Sequence, residues 1–356
     1  AGFGLKVGLV PLHVWLPLAH PAAPTPASAV LSGAIVKAGI IGLLRFLPGE
    51  AALPGWGEAL VLAGLGTAFY GAAVGVTQAH PKTVLAYSTL SQMGLLIAVL
   101  GMALRAGGVA EATSAVAFYA AHHALAKGAL FLAVGVVAAT GRQRLWWVMA
   151  PAGLLALAIG GLPLTGGALA KLAVKPPLGE GSIAALVTFS AATTTLLMLH
   201  ALRRMAAGAA GDAAARAPAG LVLPWLALVA AAVMVPWGLH LGTMGGTLAY
   251  VLVPAALWEA LWPVLLGGVL ALLLWRVALP AVPEGDLVVP VGRGLRAVLR
   301  AAAAVRMPHR PHLRVPVVSF GGALERADAA LRRWPAAALS LLVVSLLMTL
   351  ALVAGR

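Results

Sequence analysis

Cysteine is absent from the 356-residue sequence. Without thiols the chain has no disulfide, no thiolate metal site, no iron–sulfur cluster and no covalently attached c-type haem. Charge is scarce too. Asp, Glu, Lys and Arg make up 10% of residues, against about 25% in a soluble domain, which points away from water. Acidic residues are the rarer kind, 10 against 24 Lys and Arg, leaving a formal charge of +14. In a soluble protein that excess would suggest nucleic acid; in an apolar chain the placement of basic residues matters more than their sum. The opening Ala-Gly-Phe-Gly-Leu-Lys has no initiator Met, basic leader or cleavage motif, and reads as the middle of a helix in a longer chain.

What is abundant is apolar. Hydrophobic residues are 62% of the sequence and the mean hydropathy is +0.99. Roughly 20 apolar residues cross a bilayer core of about 30 Å. Such runs recur at about 27–47, 59–79, 83–104, 113–139, 145–170, 183–202, 219–239, 249–275 and 335–354, with a partial helix over the first 17 residues. The expected fold class is therefore all-α, a polytopic transmembrane helical bundle of about ten spans.

If these spans alternate in direction, one side collects Lys82, Arg142, Arg144, Arg203, Arg204, Arg216, Arg276 and nine arginines from Arg293 to Arg333. The other side holds Arg45, Arg105, Lys175 and Arg356, with Glu50, Glu58, Glu111 and Glu180. The basic side is expected to be cytoplasmic and the membrane to be the plasma membrane. Residues 280–333 form the one long non-spanning stretch, rich in Pro, Gly and Arg. It reads as a segment lying on anionic lipid headgroups, or docking onto a partner protein of the same complex. Nucleic acid is not an expected partner, because no aromatics are interleaved.

Four lysines break the loop pattern. Lys6, Lys37, Lys127 and Lys171 fall inside apolar runs, where a cation costs about 2.5–3.5 kcal/mol even on lenient insertion scales. The bland reading ties each ammonium to helix-end carbonyls. The functional reading uses the ability of a buried amine to exchange its proton near neutral pH, which a proton relay requires. On the 113–139 span Tyr119, His123 and Lys127 stand at i, i+4 and i+8, one face carrying phenol, imidazole and amine, with His122 beside them. A lone buried His is usually a packing residue; three titratable groups in a stripe read as a relay.

Two helices are expected to be broken. One carries Lys6 followed by Gly8 and Pro11; the other reads Gly160-Gly161-Leu162-Pro163-Leu164-Thr165-Gly166-Gly167 and then reaches Lys171. Unwound backbone inside a bilayer is tolerated only where protein buries it or where it lines a watery cavity, and broken helices beside charges mark transporters. A simple kink is the alternative. Ser88, Ser91 and Gln92, and Ser190, Thr193 and Thr194, form polar faces for waters or for interhelical hydrogen bonds. Glu259, between Trp258 and Trp262, reads as interfacial, and His200 and His240 receive no role.

The run from Lys6 to Gly39, KVGLVPLHVWLPLAHPAAPTPASAVLSGAIVKAG, closely resembles a signature of the antiporter-like subunits of respiratory complex I, Mrp antiporters, membrane-bound hydrogenases and formate hydrogenlyase. LAYSTLSQMG from Leu85, HHALAKGALFL from His122 and GLPLTGGALAK from Gly161 resemble three further blocks, in family order, over residues 1 to about 175. The resemblance implies two inverted five-helix repeats, each with a broken helix, and a hydrophilic axis of Lys, His and Glu. It implies roles for Lys6 as the lysine of the first broken helix, Lys37 as the connecting lysine, His123 and Lys127 as the central pair, and Lys171 as the terminal residue. His122 and Tyr119 would support them, and His13 and His20 match motif positions near the cytoplasmic turn. About six preceding helices, and the glutamate that pairs with the first lysine, would be missing.

On this reading residues 1–205 form the antiporter-like domain, 206–279 add transmembrane helices, 280–333 form an Arg-rich cytoplasmic segment and 334–356 form a last transmembrane helix. The implied function is proton translocation, with or without cation exchange, as a non-redox subunit of a complex I-like, hydrogenase-like or Mrp-type assembly. Expected partners are other membrane subunits, the bilayer, protons and, where exchange occurs, sodium; no cofactor or metal is expected. The competing readings are a structural or inactive membrane component, and a haem b carrier ligated by His123 or His122.

Overall fold

The computed structural model describes residues 2–242, 246–247, 252–277, 279, 282–284, 286 and 288–304. The expected helix at 334–356, and much of the Arg-rich stretch at 280–333, lie outside these. Ala1–Leu295 forms one compact unit, and Arg296–Arg356 is grouped as a second.

Among the described residues every regular element is helical. Seven helices are long and apolar enough to cross a membrane. They are the continuous run Thr25–Phe46, α5 (Pro54–Gly75), α6 (Pro81–Ala106), α7 (Val109–Ala138), α11 (Ser182–Ala207), α12 (Ala219–Gly242) and α13 (Pro254–Leu274). Each falls on an apolar run of the sequence. Two further expected spans are split, into α1 (Gly2–Val7) with α2 (Trp15–Ala22), and α8 (Leu145–Gly160) with α9 (Gly166–Ala173). A short α10 (Lys175–Leu178) follows, and α14 (Val288–Ala304) closes the described chain.

The breaks have local causes. At the first, Gly8 takes φ 85°, and Val10 N–H, which has no helical acceptor, donates 3.1 Å to Thr67 Oγ1 of α5. At the second, Gly161 takes φ 102°, and its N–H together with that of Leu162 returns to the carbonyl of Leu157. This is a helix ending of the glycine-capped kind. Leu164 is held at φ 62°, a left-handed value that non-glycine residues seldom adopt.

Thr25–Phe46 holds a third irregularity, which no Gly–Pro pattern in the sequence announces. α3 (Thr25–Val30) passes through a π-helical turn at Leu31–Ile35 before α4 (Lys37–Phe46). Val36 N–H bonds to the carbonyl of Leu31, five residues back.

The core is organised around α6, whose middle is enclosed from Thr83 to Gly101. α5 lies against it through glycines one heptad apart. Gly57 and Gly64 on α5 sit on the backbone of Gly101 and Gly94 on α6, so side chains at these points would strike main chain. Small residues allow this approach where lipid supplies no hydrophobic drive between helices. α12 and α13 bury few residues and are predominantly apolar, with Glu259 the one charged residue of α13.

The two ends of the bundle differ in charge. At one end Arg204 Nε donates to Ala79 O, Lys82 Nζ to Ala23 O and Arg203 to Trp275 O, with Gly141 bridged to Ala210 beside Arg142 and Arg144. At the other end Arg105 pairs with Glu58 at 3.8 Å, near Glu50 and Glu111.

Candidate functional site

Two of the four lysines, Lys37 and Lys127, are buried and a third, Lys171, is part-buried; each of the three meets a main-chain carbonyl. Lys37 is 5% exposed and donates to the carbonyl of Ser32, inside the π-turn. Lys127, on α7, is fully buried and donates to Leu85 O of α6 at 3.1 Å. Lys171, on α9, reaches back across the second break to Gly160 O, the last residue of α8. No carboxylate pairs with any of the three among the described residues. Lys6 differs: it lies on the exposed face of α1. The structure therefore does not bring it into the cluster of the other three.

The histidines join the lysines. His123 is 1% exposed, one turn from Lys127, and within electrostatic reach of Lys37, Lys127 and His122. His122, 3% exposed, lies against Gly166 and Gly167 at the start of α9 and is within electrostatic reach of Lys171. Lys37, His123 with Lys127, His122 and Lys171 thus follow one another on α4, α7 and α9, each within electrostatic reach of a neighbour in that order. No ring nitrogen of His122 or His123 has a protein hydrogen-bond partner among the described residues. Tyr119 turns to a separate set: its hydroxyl donates to Gln92 Oε1, and Gln92 Nε2 donates 2.8 Å to Thr194 Oγ1 of α11. The polar faces of α6 and α11 therefore meet each other directly.

His20 is buried and stacked on Phe131 at 4.3 Å between ring centres, within electrostatic reach of Lys127. His13, at the first break, is also buried, and its Nε2 lies 2.9 Å from Asp286 Oδ2. Asp286 was not singled out from the sequence. Glu259, expected at an interface, is half-exposed and paired with Lys175.

A cavity of about 700 Å³ opens beside Lys171. Its walls come from α9, α10, α11 and α13, and include Lys175, Glu180 and Glu259. The Gly179–Gly181 loop at its rim places it toward the end opposite the arginines.

Residues 1–197 match the family described as NADH:quinone oxidoreductase/Mrp antiporter, TM. The chain belongs to that family. Within it, hydrogenase-4 component B of Escherichia coli (strain K12) is 39% identical over 146 residues, 38% of this chain and 22% of that protein. A Na(+)/H(+) antiporter subunit of Bacillus subtilis (strain 168) is 41% identical over 139 residues, 37% of this chain and 17% of that protein. The chain thus spans under a quarter of the length of either relative. Among solved structures, a chain of the Mrp complex from Dietzia sp. DQ12-45-1b superposes with a TM-score of 0.57 at 26% identity, covering 99% of this chain and 40% of that one. This member of the antiporter-like family is accordingly a multi-pass, all-helical membrane protein. Its match ends at residue 197, just after the lysine–histidine series and within α11.

Proposed function

We propose that this chain conducts protons across the membrane along Lys37, His123, Lys127 and Lys171, with His122 and Tyr119 in support, as one subunit of a larger membrane complex. The observation that carries the reading is the pairing of the buried Lys37 and Lys127 and the part-buried Lys171 with main-chain carbonyls. A carbonyl accepts a hydrogen bond from an ammonium and from a neutral amine alike, so it holds the side chain in place through either protonation state. A carboxylate would instead favour the charged form. The unpartnered imidazoles between the lysines are acceptors and donors suited to pass a proton onward, directly or through water. The cavity at Lys171 supports an opening at the opposite end from the arginines, the positive-inside rule supports a cytoplasmic placement of the arginine-rich end, and the Ala-, Gly-, Leu- and Arg-rich composition supports a plasma membrane.

The names of the relatives support the setting, a hydrogenase-like or Mrp-type assembly whose chemistry or ion gradient drives the flux. Sodium exchange is the finer variant, read by repeating the flux assay with an imposed sodium gradient.

A second reading rests on the same contacts. Lys171 caps the carbonyl end of α8 and lies at the negative end of its dipole, which is a structural role for a cation. The complex is purified with its partners, reconstituted in liposomes containing pyranine, and driven by a potassium diffusion potential set with valinomycin. Lys127→Met is expected to lower proton flux at least tenfold with assembly intact. Flux equal to wild type would assign the buried lysines to structure alone.

A further inference from the structure

The segment that follows α13 returns to the bundle and inserts a carboxylate at the first break. Asp286 is buried, its side chain 2% exposed. Oδ2 lies 2.9 Å from His13 Nε2 and accepts the hydroxyl of Tyr87, while Tyr70 of α5 faces the same carboxylate. Two more contacts hold the segment: Thr83 Oγ1 donates to Glu284 at 3.3 Å and Gln78 Nε2 to Val282 O at 3.1 Å. These residues belong to the arginine-rich end, near His80 and Lys82.

α6 ties this site to the lysines. Leu85 accepts Lys127, Tyr87 donates to Asp286, and Thr89 bonds at 2.8 Å to Ser32, whose carbonyl takes Lys37. Two of these residues thus bond protonatable groups directly, and the third, Thr89, bonds the residue whose carbonyl holds Lys37. Burying a carboxylate against an imidazole and phenols is costly for a mere fastening, since a neutral side chain could bond the same hydroxyl.

We propose that Asp286 is the proton-collecting residue at the arginine-rich end of the path, with His13 as its acceptor. The carboxylate takes a proton from the aqueous side and passes it to His13 Nε2, which becomes imidazolium as the carboxylate is regenerated. Tyr70, Tyr87 and Glu284 are the other titratable groups facing the site, with His80 and Lys82 at its outer edge. This role rests on the chain conducting protons through its buried lysines.

The test uses the same reconstituted complex and flux assay, with pH varied on the arginine-rich side. Asp286→Asn keeps the size and an acceptor for Tyr87 but cannot carry the proton; flux is expected to fall at least fivefold and to lose its pH dependence. Asp286→Glu is expected to retain at least half. Thr83→Val with Gln78→Leu removes the other fastenings and is expected to stay within twofold of wild type. If Asp286→Asn does not assemble, His13→Gln decides, with the same fivefold loss expected. Wild-type flux in Asp286→Asn or His13→Gln, alongside a dead Lys127→Met, overturns the inference and leaves the conducting path standing. A loss in the Thr83 and Gln78 double variant equal to that of Asp286→Asn also overturns it, making the segment a fastening. Wild-type flux in Lys127→Met removes both.

Discussion

Lys171 reaches back over the second break to bond the carbonyl of Gly160, so one side chain spans the gap that its own helix leaves open. The two halves of the broken helix are joined by this contact, and the residue that joins them also lines the cavity.

Relay and cap separate at this lysine. Lys171→Arg keeps a donor for Gly160 but holds its proton at all working pH values. Thermal stability in detergent is expected to stay near wild type while flux falls at least tenfold. Lys171→Met is expected to lose both, the stability by about 1–3 kcal/mol for the stranded carbonyl. Full flux in Lys171→Arg would leave only the cap.

The glycine contact between α5 and α6 has a measurable cost of intrusion. A Cβ at Gly64 would press on the backbone of Gly94 and Ala98. Gly64→Ala is expected to destabilise by about 1–3 kcal/mol, the usual cost of overpacking. Gly66, whose Cβ would meet open space, is the control: Gly66→Ala is expected to keep the melting temperature or raise it slightly, since alanine is the better helix former.

Acid sensitivity is expected at the start of α6. His80 caps that helix, its Nδ1 accepting the N–H of Lys82 at 3.2 Å. Partial desolvation of this largely exposed imidazole pushes it below its ordinary 6.5, opposed by Glu284 and reinforced by Lys82. A folded-state value below the unfolded one means that the contribution is intact above pH 6.5 and is lost as the pH falls below it. His80→Asn keeps an uncharged cap, so between pH 7.5 and 5.5 its melting temperature is expected to fall less than that of wild type. Equal falls would remove the cap from the acid response.

The missing cysteines make sidedness directly readable. Arg144 and Glu50 are exposed at opposite ends of the bundle. A membrane-impermeant maleimide is expected to label Arg144→Cys in inverted vesicles and Glu50→Cys in right-side-out ones. The reverse pattern would turn the molecule over.

Much of the fold was legible because its causes are local. Apolar runs gave the spans, and Gly8 with Pro11, and Gly161 with Pro163, gave both breaks. The interior positions of Lys37, Lys127 and Lys171 followed from the cost of a cation in an apolar run. Lys6 sat in the same kind of run and lies exposed on α1 among the described residues; a run reveals depth along a helix and not what packs on each face. Asp286 was hidden for another reason. Its partners stand 199 and 273 residues away, and its neighbours suggested only a polar segment outside the bilayer. The domain limits drawn from the sequence, at 205, 279 and 333, remain proposals.

The π-turn at Leu31–Ile35 widens one turn of helix by a residue, immediately before Lys37. An α-helix advances about 100° per residue, at roughly 3.6 residues per turn. Winding the same residues as a regular α-helix, with no widened turn to absorb the surplus one, would swing everything after it by up to about 100° relative to α3. Lys37 would then be aimed away from His123 with no change in its identity. The local winding therefore acts as a sighting device: it fixes the bearing of the amine, and the same charged groups on a regularly wound helix of the same length would have lost their line.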